Sequence, residues 1–354
     1  MARSALIGIP ESLKHFGFAS VWESFFERLN IDFTYSGSTT KEVVEKGIAS
    51  SVSEACLPVK LIHGQVLSLA GRVEKVFLPR LINISGGTVF CPKFLGMPDM
   101  VKASIGDEVE ILSPRIDLRC GRLYNCLQFF ESARRLAPHS IGTMASSLRN
   151  LYSQLKNSGK FDVRPSCADL RAVSRGALVV GVLGYPYLIE DDYVSMGLVR
   201  KLIARGICVV KATDVALPDL ESVSGDFDKQ VFWYFSDRVA KAGYYLCRTR
   251  EVDGLIHLTA YGCGPDAVTD KLLELEAKKD RIPYLTISVD ECTGEAGVDT
   301  RIEAFVDMLS RMSSRDHRFG GAAHGQSNVS SPGVVGASHI RASGRYGKRS
   351  NTAA

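Results

Sequence analysis

Three of the chain's nine cysteines share a local grammar: Cys56-Leu57-Pro58, Cys91-Pro92-Lys93 and Cys263-Gly264-Pro265 each carry a proline within two residues. Proline suits the first helical position, where its missing N–H would have no intrahelical partner, so Cys56 and Cys263 read as residues just before helix N-termini. The positive end of a helix stabilises a thiolate, the form of cysteine that binds metal or attacks an electrophile. Cys91 is expected after a strand ending near Phe90, with the next helix starting at Pro98-Asp99. No Cys-x-x-Cys pair occurs in the sequence, so a shared metal site must be assembled by the fold. The competing reading is that cysteine is a small residue often buried in cores. It fits Cys208, inside an apolar strand, and extends to Cys120, Cys126, Cys167 and Cys247, whose neighbours are undistinguished. Near the trio, Glu54, Lys60 and His63 are candidates for chemistry. His63 reads either as a fourth ligand or proton donor, or as a hydrogen-bonded structural histidine. Asp99 and Asp266, each just after a proline, read as first-turn carboxylates that stabilise helix starts.

The elements that must position these residues alternate. Ala5 to Ile9 reads as a strand, and Val21, Trp22, Phe25, Phe26 and Leu29 recur at helical spacing. Ile31 to Tyr35 follows as a strand, Lys41 to Ala49 and Pro58 to Leu69 as helices, and Lys75 to Ile82 as a strand. Strands separated by helices imply parallel pairing with helices on both faces. Residues 114–175 read as a connector with helices at Leu123 to Leu136 and Met144 to Leu155, followed by the polar stretch Lys156 to Asp162. Alternation resumes with strands at Ala177 to Leu183, Cys208 to Val210, Gly254 to Leu258 and Tyr284 to Val289. Helices are expected at Val194 to Ala204, Lys229 to Leu246, Val268 to Lys278 and Arg301 to Met312. The fold class is therefore α/β, with two doubly wound parallel-sheet domains of flavodoxin or Rossmann type. Residues 1–113 form the first, carrying Cys56 and Cys91, and 176–313 the second, carrying Cys263. Residues 314–354 lose all apolar periodicity and are expected to be a disordered tail. In open sheets of this kind ligands gather beyond the carboxyl ends of the strands, which would let the three thiols meet across a cleft.

Composition narrows the function. With 354 residues, 45% hydrophobic and 23% charged, the chain has the makings of ordinary globular domains, and its length favours two cores. The longest apolar stretch, Ala177 to Ile189, is broken by Gly181, Gly184 and Pro186, so no membrane span is expected. No export signal opens the sequence, which points to a reducing cytoplasm. The net charge is +4, but the tail holds six Lys/Arg against one Asp, leaving the rest near −1. The body thus lacks the charge footprint of a nucleic-acid binder.

Glu54-Ala55-Cys56-Leu57-Pro58-Val59-Lys60 with His63-Gly64, Cys91-Pro92-Lys93 with Gly96, Pro98 and Asp99, and Gly262-Cys263-Gly264-Pro265-Asp266 together resemble the CoA-substrate-specific enzyme activase-related family, which is similar to 2-hydroxyacyl-CoA dehydratase subunits. Ile7-Gly8-Ile9-Pro10, the segment Gly181 to Tyr187, Asp290-Glu291, Gly294-Glu295-Ala296-Gly297 and Thr300 to Phe305 fit the same pattern, so the resemblance runs from about residue 5 to 313. It implies flavodoxin-like domains holding an iron–sulfur cluster, [4Fe–4S] or a larger relative, through Cys56, Cys91 and Cys263. It also implies low-potential electron transfer or reductive chemistry on an acyl-CoA-type substrate, as a dehydratase-like lyase or a reductase component. The implied partners are an ATP-dependent activase and a second homologous subunit. Cys292, where the family often carries histidine or another polar residue, would either add a ligand or fill space. Gly37-Ser38-Thr39-Thr40-Lys41 is similar to the phosphate loop of the ATP-driven activases but lacks their Asp-x-Gly. It reads better as a helix cap, and the chain is not expected to be an ATPase itself. The alternative reading is a non-catalytic binding or scaffold subunit of a heteromeric complex with structural or zinc-binding cysteines.

Overall fold

Short apolar strands and the helices between them build two four-stranded parallel sheets in a computed structural model that describes residues 6–84, 87–136, 140–157, 177–227 and 229–320. The first half contains strands β1 (Ile7–Ile9), β2 (Phe33–Tyr35), β3 (Lys75–Phe77), β4 (Arg80–Asn83), β5 (Glu110–Leu112) and β6 (Arg115–Asp117). Its helices are α1 (Ala19–Arg28), α2 (Lys41–Ser50), α3 (Leu57–Leu69), α4 (Pro92–Ile105), α5 (Gly121–Arg134) and α6 (Ile141–Asn157). The second half contains β7 (Val179–Gly184), α7 (Pro186–Ile189), α8 (Leu198–Ala204), β8 (Cys208–Lys211), α9 (Leu217–Ser222), α10 (Tyr234–Thr249), β9 (Gly254–Ala260), α11 (Gly264–Lys279), β10 (Tyr284–Val289) and α12 (Glu295–Gly320).

The two sheets repeat one topology. The order is β2-β1-β3-β5 in the first and, read from the other edge, β8-β7-β9-β10 in the second. Counted within each sheet this is second-first-third-fourth, the flavodoxin-like arrangement, whose ligand crevice lies where the strand order reverses. All pairs are parallel: Ile7 faces Phe33 and Lys75, while Val182 faces Lys211 and Ile256. Strands β7 and β9 are buried along their whole length, as central strands covered on both faces must be. On α1 the expected apolar face, Val21, Trp22, Phe25 and Phe26, is buried. Residues up to Arg311 form one compact unit.

Several expected boundaries move. The strand expected over Lys75 to Ile82 is two strands: Pro79 cannot donate to a ladder, so the chain leaves the first sheet after Phe77 and Arg80–Asn83 pairs with β6 instead. The expected helix start at Pro98-Asp99 is wrong, because α4 begins at Pro92 and Pro98 lies within it. Asp99 is therefore no first-turn carboxylate; it projects outward and accepts a hydrogen bond from Arg80 Nη2 at 2.6 Å. The helix expected from Val194 starts only at Leu198, after the left-handed residues Met196 and Gly197. Helix α12 extends to Gly320, into the stretch expected to be disordered; residues 321–354 lie outside the described residues, as do 158–176 of the connector with Cys167.

Helices α2 and α3 cross at unusually short range. A Cβ on Gly47 would stand 2.0 Å from the Lys60 carbonyl oxygen, and one on Gly64 would stand 1.9 Å from that of Val43. Only paired glycines let the backbones meet there. The N-terminus of α2 is capped as expected, with Val43 N–H donating to Thr40 Oγ1 at 3.4 Å.

Candidate functional site

Cys56, Cys91 and Cys263 line one cavity. Each is the N-cap residue of a helix with proline in its first two positions: Cys56 of α3, Cys91 of α4 and Cys263 of α11. Local sequence explains this placement. Proline cannot supply an intrahelical N–H, so it starts the helix and leaves the preceding cysteine in extended geometry. Gly262, at φ +73°, takes the left-handed turn that delivers Cys263 from the end of β9. The macrodipoles of three helices thus converge on the thiols.

The rest of the wall is apolar. Tyr185 caps the short helix α7 that follows β7 and Tyr187 lies within it, while Trp233, Tyr234 and Phe235 come from the start of α10. Because β7 and β9 are adjacent, the tyrosines and Cys263 stand at the switch point of the second sheet. Rings from the first half close the opposite side: Phe94 lies 5.5 Å from Tyr187 between centroids, and Phe90 lies 5.2 Å from Tyr234. Phe16 supports them, with centroid distances of 5.3 Å to Tyr187 and 5.9 Å to Phe235.

Burial raises the pKa of all three thiols and pushes Cys263 up to about 12, helped by the nearby charge of Asp266. The thiols also sit close enough to oppose one another's ionisation. Against this act Lys93, beside Cys56 and Cys91, and the backbone N–H groups of Val59, Phe94 and Asp266, each three residues beyond its cysteine. Thiols of this kind stay protonated until a metal displaces the proton. Among the described residues, no three His, Cys, Asp or Glu side chains are grouped so as to hold a single metal ion. A polynuclear cluster is wider than one ion. Three thiols facing a shared, otherwise apolar cavity are a donor set that suits such a cluster, since soft thiolates select iron–sulfur groups.

The other candidates fall around this cavity. Lys60, 4% exposed, pairs with Glu291 in the turn after β10, joining the helix that starts at Cys56 to the second half of the chain. His63 is buried, with Nδ1 2.9 Å from the Val59 carbonyl oxygen one turn earlier, and it does not line the cavity. The Glu54 side chain is exposed; its carbonyl oxygen accepts a hydrogen bond from Lys93 Nζ at 2.9 Å. Cys292 is exposed in the turn after β10 and is absent from the cavity wall. Asp266 does lie in a first helical turn, as expected, but it is also fully buried. Sequence reasoning missed the aromatic wall, although the run Phe232-Trp233-Tyr234-Phe235 is dense enough to have signalled it, and it missed the contacts of His257 with Asp266 and Asp270.

Residues 6–215 match the family described as the CoA enzyme activase uncharacterised domain, and residues 232–309 match the 2-hydroxyglutaryl-CoA dehydratase D-component. No curated protein matches the chain. The first match spans more than half of the sequence, so the chain belongs to the CoA enzyme activase domain family and is a dehydratase-like, activase-related protein. Cys56 and Cys91 lie in the first matched region and Cys263 in the second.

Proposed function

We propose that this member of the CoA enzyme activase domain family holds an iron–sulfur cluster, [4Fe–4S] or a larger relative, through Cys56, Cys91 and Cys263. The observation that carries the reading is the meeting of three helix-capping cysteines, from distant parts of the chain, at one apolar cavity. Bound there, such a group supplies single electrons at low potential, and three protein thiolates on a four-iron cubane leave one iron without a protein ligand. The chain's own residues provide the rest: three helix N-termini offset the negative charge of the thiolates, the aromatic wall excludes water, and the Lys60–Glu291 pair ties the two halves across the site. The chain then acts in low-potential electron transfer or reductive chemistry on an acyl-CoA-type substrate. Its electrons come from an ATP-dependent activase, and a second, dehydratase-type subunit completes the complex.

Anaerobic purification followed by iron and acid-labile sulfide analysis tests this. Stoichiometric iron and sulfide are expected, with iron lost in Cys56→Ser, Cys91→Ser and Cys263→Ser but kept in Cys208→Ser. A wild-type chain that stays free of iron after reconstitution overturns the reading.

A further inference from the structure

Behind Cys263 lies a buried charged group that the proposal above leaves unused. Asp266 is the third residue of α11, with 0% exposure, and neither carboxylate oxygen accepts a hydrogen bond among the described residues. Its Oδ1 stands 3.3 Å from Nε2 of His257, which is also fully buried at the middle of β9. The other ring nitrogen, Nδ1, is 2.8 Å from Oδ1 of Asp270. That oxygen also accepts hydrogen bonds from the Tyr284 hydroxyl and from Thr286 Oγ1, both at 2.8 Å from β10. One imidazole is therefore bracketed by two carboxylates of a single helix: Asp266 is fully buried, and Asp270 is 22% exposed. Asp266 stands in the first turn of the helix that Cys263 caps, and its negative charge acts on both Cys263 and Tyr185. The Tyr185 hydroxyl is itself bound to Ser236 Oγ at 2.7 Å.

A carboxylate this deeply buried survives as an ion only with a compensating cation. Burial works against charge on His257, but Asp266 and Asp270 outweigh it and push its pKa up to about 9. Two carboxylates against one imidazolium leave a net negative charge next to Cys263. Net charge near a cluster is one of the protein's means of setting its potential, and in a low-dielectric wall that charge is poorly screened.

We propose that the Asp266–His257–Asp270 chain tunes the redox site, with Asp266 as a positioning residue whose negative charge beside Cys263 makes a centre held by the three thiols harder to reduce. The proposal rests on the iron–sulfur reading. It adds that the low potential is partly built into α11 and β9, in groups that touch neither substrate nor metal.

The test is a redox titration of the reconstituted full chain with titanium(III) as one-electron reductant, comparing wild type with Asp266→Asn. Equal iron content and a midpoint potential shifted to more positive values in the variant support the proposal. An unchanged or more negative midpoint at equal iron overturns it. A second measurement needs only the folded wild type: the His257 imidazole, followed by NMR in metal-free protein, is expected to titrate near pH 9. Titration at or below the ordinary 6.5 overturns the charge assignment even where the variant fails to fold. A wild-type chain that takes up no iron overturns the iron–sulfur reading and the tuning role with it, while the imidazole titration, read without metal, still decides the charge assignment.

Discussion

Cys120 also stands at a helix N-cap, on α5, yet it is exposed and no proline follows it within two residues. Comparing it with Cys56, Cys91 and Cys263 separates two requirements, a helix terminus and a shared cavity. Cys120→Ser should keep full iron content, whereas each substitution in the trio should remove most of it, measured by iron analysis on anaerobically prepared protein. His257 gives a pH dependence whose sign follows from its raised pKa. Its contribution to stability is complete well below the unfolded value of 6.5 and is lost as pH rises through about 9. Urea denaturation of the metal-free protein should therefore show a loss of about 1 kcal/mol between pH 6.5 and 7.5, a window that precedes most thiol ionisation in the unfolded chain. At this scale the sequence was informative for Cys56 and Cys263, because a proline shortly after a cysteine acts through local backbone geometry, whereas the same signal at Cys91-Pro92 was passed over for Pro98. The charge network was not legible, since His257, Asp266 and Asp270 meet only when β9 packs against α11.

At the scale of elements, the crossing of α2 and α3 sets where Cys56 sits. Gly64→Ala would press a methyl group into the Val43 backbone carbonyl. It should destabilise the protein by about 3 kcal/mol or more and lower iron retention, because α3 can move away from α2 only by displacing its own N-terminus. Circular dichroism melts alongside iron content check both effects. The Thr40 cap is a weaker device: its bond to Val43 N–H is 3.4 Å long. Thr40→Ala should cost about 0.5–1 kcal/mol and leave iron unchanged. Element types along the described chain follow from apolar periodicity, but their ends depend on context. Pro98 looked like a helix start, yet Pro92 already occupies that role, and Arg80 grips the helix further along by donating to the Leu95 carbonyl at 2.8 Å and to Asp99. Pro79 split one expected strand into two because a proline nitrogen has no proton for the ladder.

Across the whole molecule, the two sheets share a cavity through polar and aromatic contacts. Beyond the ring cluster, Thr39 Oγ1 donates to Asp191 at 2.5 Å, and Lys60 pairs with Glu291. Glu291→Ala strands a buried ammonium and should cost about 2–3 kcal/mol in urea denaturation, while Lys60→Met, which removes the charge along with the need for a partner, should cost less. Among the described residues no helix is long and apolar enough to cross a membrane. The sequence by itself determined the alternation of strands and helices, the parallel α/β class and the helix-capping places of Cys56 and Cys263, though not that of Cys91, because each of these is decided by neighbours within a turn or two of chain. Only the tertiary structure decided that Cys56, Cys91 and Cys263 face one cavity, that seven aromatic rings enclose it, and that His63 faces its own helix backbone. Those outcomes depend on residues as far apart as 56 and 263 meeting, and such meetings are fixed by sheet order and helix packing rather than by spacing along the chain.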